Sequence, residues 1–156
     1  LCRQNIICRI CELTNGVMIM FQANQKVIII GEREGVPAPT IQDCIIDGKC
    51  QVLYAVTECA VGSVAGSLDE MTLQKVAAAA GQDLLVILGS ANGDMAVQAF
   101  GEIMKAGQTK NIYHVCEQPI KELLEMDKYE EEIGMMEMIL DVADITEQLE
   151  RMRSEN

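Results

Sequence analysis

Four short apolar runs, each followed by a segment suited to a helix, place the strongest constraint on the fold of this chain. The first run, residues 27–30, contains only Val and Ile and stops at Gly31. A strand without polar alternation is typical of a parallel sheet that is covered on both faces. The other three runs are residues 52–56, 84–88 and 112–116.

Because strands that alternate with helices are joined by right-handed crossovers, this pattern predicts an α/β fold. We expect a single doubly wound, mainly parallel, four-stranded sheet in a flavodoxin-like three-layer sandwich. In such sheets the functional surface lies beyond the carboxyl ends of the strands. Four loops should therefore share one edge: residues 31–39, 57–66, 89–94 and 116–119.

Helix signals fill the segments between the apolar runs. Ser67 and Asp69 are suited to cap a helix that continues to Ala80, and Gly81 is suited to end it. Pro119 is suited to the first turn of another helix. The remaining predicted helices lie near residues 40–47, 95–105, 129–140 and 144–153.

Size and charge exclude several classes of function. A length of 156 residues matches one domain. Twelve basic against 24 acidic residues give a net charge of −12, which repels nucleic acids and anionic membranes. The longest apolar runs are far shorter than the roughly 20 residues that cross a bilayer. We therefore expect neither a nucleic-acid partner nor membrane insertion.

The cysteines favour a reducing cytoplasm, because seven is an odd number and their spacing matches no secreted disulfide scaffold. Cys8 and Cys11 form a C-x-x-C pair, but no further zinc ligands follow at a suitable spacing, so no metal site is expected. Residues 1–25 show no strand, helix or signal-peptide pattern. We interpret them as an extension, with the hypothesis that residues 1–19 are upstream sequence, that the native start is near Met20, and that the domain spans residues 26–156.

Cys59 is the candidate reactive residue. It follows the second predicted strand and precedes a helix, a position where backbone N–H groups and the helix dipole favour a thiolate. A redox C-x-x-C pair would need a second cysteine at position 62, which is Gly62. The residues alone leave a reactive thiol and an inert buried thiol equally open. Cys44, Cys50 and Cys116 are interpreted as small apolar side chains.

Other candidates have simpler interpretations. We expect His114 to be hydrogen-bonded near the edge of the sheet, with a general base as the alternative. The Gly31/Gly35 and Gly89/Gly93 pairs give only weak support for phosphate binding, because neither completes a nucleotide motif. The acidic run 130–132 suits the first turn of a helix. Met135, Met136 and Met138 are expected to pack against the sheet, and an exposed methionine strip for docking is the alternative.

Several segments of the chain together resemble selenoprotein A of the glycine, sarcosine and betaine reductase complexes. The longest is YEEEIGMMEMILDV at residues 129–142, and so many ordered identities are not expected from a shared fold alone. The resemblance runs from Lys26 to Arg153. Within it, residues 92–110 resemble the family less and form a shorter segment than the family has there. The other matching segments are residues 26–39, 57–59, 65–66, 84–89 and 113–117.

The resemblance implies that the active motif is a cysteine at position 59 and selenocysteine at position 62. This sequence has Gly62 there, which cannot carry a group on selenium or form a selenenyl-sulfide bridge with Cys59. Selenocysteine is encoded by UGA, so a translation that reads UGA as glycine would produce this sequence from a selenoprotein gene. The form with Gly62 is expected to be inactive.

The resemblance further implies a cytoplasmic carrier and redox subunit of an oxidoreductase, with no cofactor besides the selenocysteine. Such a subunit accepts a carboxymethyl group from the substrate-binding component B, passes it to component C for acetyl phosphate formation, and is reduced again by thioredoxin. The acidic surface at residues 130–132, Glu137 and Asp141 would then dock or steer these partners. Two alternatives remain: a flavodoxin-like module that binds a nucleotide or flavin, and an inactive paralogue that keeps only the docking surface.

Overall fold

The computed structural model describes residues 21–59 and 68–156. Cys8, Cys11, Gly62, Ser67 and the proposed start near Met20 lie outside the described residues. The described chain contains a four-stranded sheet in the order β2-β1-β3-β4, with every neighbouring pair parallel. The strands are β1 (Gln25–Glu32), β2 (Cys50–Glu58), β3 (Leu85–Leu88) and β4 (Ile112–His114). The predicted sheet and its strands are confirmed.

The helices lie in two groups, as a doubly wound sheet requires. The strand order reverses direction after β2, so right-handed crossovers place the first helix on one face and the next two on the other. Helix α1 contacts α5, and α3 contacts α2 and α6. The helices are α1 (Ala38–Cys44), α2 (Glu70–Ala78), α3 (Gly93–Gly107), α4 (Gln118–Lys121), α5 (Met126–Glu132) and α6 (Val142–Glu155).

The prediction of one continuous helix over residues 129–140 is wrong. Helix α5 ends at Glu132, and a separate 3₁₀ helix, Gly134–Met138, follows it. Glycine is a poor helix former, and Gly134 stands where the helix breaks. The tighter turn brings Glu137 back to accept a hydrogen bond from the Tyr129 hydroxyl.

The two central strands form the core. Val27, Ile28 and Ile29 of β1 and every residue of β3 are buried, as their unbroken apolar runs predict. Strand β2 lies at an edge of the sheet and is largely half-buried or exposed. Of the two strands that neighbour β1, β2 therefore has the more exposed carboxyl end.

Helix α6 is fixed to the other edge strand through Arg153. The guanidinium donates to the carbonyl oxygen of Ile112 at 2.8 Å and forms an ion pair with Glu117. It also lies over the Tyr113 ring, 4.1 Å from its centroid. Glu117 is only 4% exposed. Arg153 therefore both anchors α6 and neutralises a buried carboxylate.

Candidate functional site

The candidate site lies along the carboxyl edge of the sheet. Glu32 ends β1 and is the Cα partner of Glu58 at the end of β2, so Cys59 follows directly after the last paired residues. A small cavity of about 40 Å³ opens at this edge. Its lining includes Glu32, Cys59 and Ser90, together with Glu58, Leu68 and Met95. The described parts of the first three predicted loops, residues 31–39, 57–66 and 89–94, therefore line one cavity at this edge.

Cys59 is exposed, which argues against its interpretation as an inert buried thiol. Cys44 and Cys116 are buried as expected, and burial raises the pKa of each thiol to about 11. Burial also raises the pKa of the half-buried Cys50. Of the four cysteines in the described residues, Cys59 is the most accessible to reagents in solution.

Hydrogen bonds fix both ends of the segment that follows Cys59. The Glu58 side chain accepts from the backbone N–H of Asp69 at 3.1 Å, which joins the end of β2 to the start of α2. The Glu102 side chain on α3 accepts from the N–H of Leu68 at 3.0 Å. Glu58, Leu68 and Asp69 are therefore held in place on either side of the segment that follows Cys59.

Glu32 is a site residue that sequence reasoning missed. It is only 6% exposed, and its Oε1 accepts from the backbone N–H of Ala91 at 3.2 Å. Burial raises the pKa of this carboxyl to about 7, although the hydrogen bond from Ala91 lowers it. The available signal was its position as the first acidic residue after a buried strand, where a parallel sheet places its functional side chains.

His114 is hydrogen-bonded at the sheet edge, as expected, and is fully buried. Its Nδ1 accepts from the N–H of Cys116 at 3.1 Å, so the proton lies on Nε2, which donates to the Ser90 carbonyl oxygen at 2.8 Å. Burial lowers the pKa of the imidazole to about 4. Because both ring nitrogens are hydrogen-bonded, His114 stabilises the loop of residues 89–94 and is not placed to act as a general base.

The edge glycines serve packing between loops. The N–H of Val36 donates to the Gly89 carbonyl oxygen at 2.8 Å, and the N–H of Gly89 donates to the Ile30 carbonyl oxygen at 3.0 Å. A Cβ atom on Gly35 would overlap the Gly89 carbonyl, and one on Gly89 would overlap the Val36 carbonyl. This close backbone approach accounts for these glycines without a phosphate, which weakens the nucleotide-binding alternative.

The expectation that the methionines pack against the sheet holds only for Met136, which is partly buried against the core. Met135 and Met138 are 75% and 90% exposed, and neighbouring Ile139 is 82% exposed. The reason is the 3₁₀ helix, in which side chains three residues apart point the same way. The result is an exposed apolar patch beside the acidic run 130–132, whose residues are also exposed.

Glu137 differs from its acidic neighbours. It is half-buried, accepts from Tyr129 and pairs with Lys121 at 3.3 Å. Its charge is thus engaged inside the protein, and it is a weaker candidate for partner docking than the predicted surface suggested.

Residues 21–59 and 68–156 contain neither a cluster of metal ligands nor a membrane-spanning helix. No group of three or more His, Cys, Asp or Glu side chains there is arranged to hold a metal ion. Across the same residues, every helix is too short or too polar to traverse a bilayer.

Comparison with known proteins identifies the family. A family described as "Glycine reductase complex selenoprotein A" matches residues 22–153. A protein named "Glycine/sarcosine/betaine reductase complex component A" from Clostridium botulinum (strain ATCC 19397 / Type A) is 38% identical over 153 residues, covering 88% of this chain and 96% of that protein. A protein of the same name from Carboxydothermus hydrogenoformans is 34% identical, with 85% and 95% covered.

A third relative, "Glycine/sarcosine/betaine reductase complex component A1" from Peptoclostridium acidaminophilum, is 33% identical, with 84% of this chain and 92% of that protein covered. No solved structure gives a significant match. The family match and all three relatives span the sheet and the segment around Cys59. The chain therefore belongs to the selenoprotein A family of the glycine reductase complex.

Proposed function

We propose that this protein is the cytoplasmic carrier and redox subunit of a glycine, sarcosine or betaine reductase. In this role it accepts a carboxymethyl group from substrate-binding component B, delivers it to component C for acetyl phosphate formation, and is reduced by thioredoxin. The observation that supports the proposal is the exposed Cys59 thiol at the carboxyl end of edge strand β2. The resemblance to the family assigns the cysteine of the active motif to this position. An edge position suits a residue that must enter the active sites of other proteins.

The residue present at position 62 does not fit this chemistry, because glycine has no side chain to act as a nucleophile. We propose that codon 62 is UGA and is read as selenocysteine in the cell. A selenol is ionised at neutral pH and supplies the nucleophile for carboxymethyl transfer. The chain's own contribution is to hold both ends of the segment that carries position 62 and to supply the Cys59 thiol.

The test compares the protein with selenocysteine at position 62 and the protein with Gly62. Each is incubated with component B and glycine, and the peptide containing residues 59 and 62 is examined by mass spectrometry. We expect a carboxymethyl adduct on position 62 of the selenocysteine form and no adduct on the Gly62 form. An adduct on the Gly62 form, at Cys59 or elsewhere, would contradict the proposed role of position 62, and a selenocysteine form without adduct would contradict the carrier function.

We further propose that the acidic run at residues 130–132 steers partner proteins, since long-range charge increases association rates more than affinity. Reversing Glu130, Glu131 and Glu132 to lysine should slow transfer between components about tenfold or more at low salt, with a smaller effect at high salt. Stopped-flow mixing of the carboxymethylated carrier with component C measures the rate.

The matched control reverses Glu147, Glu150 and Glu155, which are exposed on α6 and produce the same change in net charge. These substitutions should slow transfer less than reversal of the run on α5. Equal effects of the two triple variants would show that only net charge matters. A transfer rate insensitive to salt and to both sets of reversals would contradict steering altogether.

A further inference from the structure

Three large apolar side chains on the 3₁₀ helix and just after it are the most exposed of their kind in the described chain. They are Met135, Met138 and Ile139, which we call the methionine patch, and the next most exposed, Met71, is 57% exposed. Single exposed apolar side chains are ordinary on a protein surface, whereas adjacent ones mark a site of contact with another molecule. The methionine patch is therefore a candidate interaction surface.

The segment that carries the methionine patch is attached to the carboxyl edge of the sheet. Within the 3₁₀ helix, Glu137 pairs with Lys121 of α4, the helix that follows β4. In the first turn of α6, the carboxylate of Asp144 lies against the start of α3, because a Cβ atom on Gly93 would overlap it. The segment thus lies beyond the carboxyl ends of β3 and β4, and Cys59 follows the carboxyl end of β2.

The width of the sheet allows one partner to contact both places. Strands β2 and β4 are three spacings apart in the sheet, which is roughly 15 Å. An interface of ordinary size covers about 800 Å² on each partner, so it is roughly 30 Å across. A protein that acts on position 62 can therefore cover the methionine patch at the same time. Under the proposed function, component B is the partner that meets the carrier before any group is loaded.

Charge around the methionine patch indicates the chemistry of the surface that covers it. Glu130, Glu131 and Asp141 are exposed, and the Glu130 carboxylate lies beside Gly134, where the 3₁₀ helix begins. No cation from residues 21–59 or 68–156 forms an ion pair with any of the three acidic side chains. A second copy of the chain, with its net charge of −12, would place the same acidic residues opposite them in a symmetric dimer. The complementary surface is therefore apolar with lysine or arginine around it.

We propose that the methionine patch is the docking contact for component B, and that component B covers it with an apolar surface bordered by lysine or arginine. The proposal rests on the carrier function and adds to it the place where the complex is held. The acidic run at residues 130–132 sets how fast the partners meet, whereas apolar contact sets how long they stay together. Methionine suits a contact that must form and release, because its unbranched side chain adapts to the opposing surface.

The experiment measures binding of component B to the Gly62 protein by biolayer interferometry. The Gly62 protein is suitable because it offers no side chain for group transfer during the measurement. Met138→Gln keeps an unbranched side chain of similar length but adds a polar amide. It should weaken binding about tenfold, mainly through faster dissociation, and leave the salt dependence of association unchanged.

Met126→Gln is the matched control, because it makes the same substitution at an exposed methionine at the start of α5. It should change the affinity by about twofold at most. Equal affinities of the Met138→Gln variant and the unmodified protein would overturn the proposal. Equal losses in the two variants would also overturn it, because binding would then not depend on the methionine patch in particular.

A second measurement needs no substitution. Hydrogen peroxide converts exposed methionine to the sulfoxide, and mass spectrometry follows the added oxygen at each residue. Component B should slow the oxidation of Met135 and Met138 and leave that of Met126 unchanged. Unchanged rates at Met135 and Met138 would overturn the proposal. Slow oxidation of both in the protein alone would also overturn it, because another part of this chain or a second copy would then cover the methionine patch.

The docking proposal and the carrier function can fail separately. If the selenocysteine form acquires its carboxymethyl adduct while Met138→Gln binds component B normally, the docking proposal alone is wrong. If no adduct forms while component B still protects Met135 and Met138 from oxidation, the carrier function alone is wrong.

Discussion

Arg153→Ala is expected to lower the free energy of unfolding by about 3 kcal/mol, because removing one partner of a buried ion pair leaves the other charge unpaired. The partner is Glu117, which is almost fully buried. Burial raises the pKa of that carboxyl and Arg153 opposes the rise, so the variant loses this opposition. It also loses the hydrogen bond to Ile112 and the contact with the Tyr113 ring. Urea unfolding followed by circular dichroism measures the change.

Arg151→Ala is the matched control on the same helix. Arg151 pairs with Glu147 one turn away at 3.3 Å, and both side chains are largely exposed. Exposed pairs of this kind contribute about 0.5 kcal/mol or less. If the two variants lose similar stability, then α6 is not anchored by Arg153 in the way described.

The second large effect concerns turnover. In the selenocysteine form, Cys59→Ser is expected to permit carboxymethyl transfer but to stop the cycle after about one turnover. Under the proposed function, Cys59 forms the bridge to selenium that thioredoxin reduces, and serine cannot form that bridge. The measurement is acetyl phosphate formed per carrier molecule in the presence of components B and C, thioredoxin and a reductant. Multiple turnovers by this variant would contradict the assignment of Cys59 as the resolving thiol.

Cys50→Ser controls for general damage to β2. Cys50 begins β2, and Cys59 directly follows the end of this strand. Cys50 therefore lies at the amino ends of the strands, away from the site at their carboxyl ends. This variant should sustain repeated turnover. A similar arrest in both variants would indicate a defect in the strand and not in the bridge.

The parts of the fold that depend on short-range pattern could be predicted from the sequence. The Val and Ile run of β1 has one stable environment, the centre of a covered parallel sheet, and the structure places it there. The break between α5 and the 3₁₀ helix falls at Gly134, but one glycine does not by itself predict a break. The turn that follows also contains the contacts of Glu137 with Tyr129 and Lys121, which the periodicity of the sequence does not show. Such contacts between neighbouring turns leave little trace in periodicity.

Part of the candidate site could likewise be predicted from the sequence, and part depends on how the sheet and its loops pack. Cys59 could be selected from its place after a strand, but its exposure depends on β2 being an edge strand, which is a property of the whole sheet. Glu32 was missed because a glutamate between Gly31 and Arg33 has the composition of a solvated loop. Only the packing of the loops after β1 and β3 buries it.

The hydrogen bonds from Asp69 to Glu58 and from Leu68 to Glu102 have a consequence for protein produced without selenium. They use backbone and side-chain groups outside residues 60–67, so neither bond requires a side chain at position 62. A cell that inserted glycine there would make a folded chain that keeps the surface proposed to meet its partners but has no nucleophile to offer them. If codon 62 is UGA as proposed, such a chain would compete with the selenocysteine form for components B and C. Incomplete decoding of that codon would then reduce flux by competition as well as by loss of active carrier.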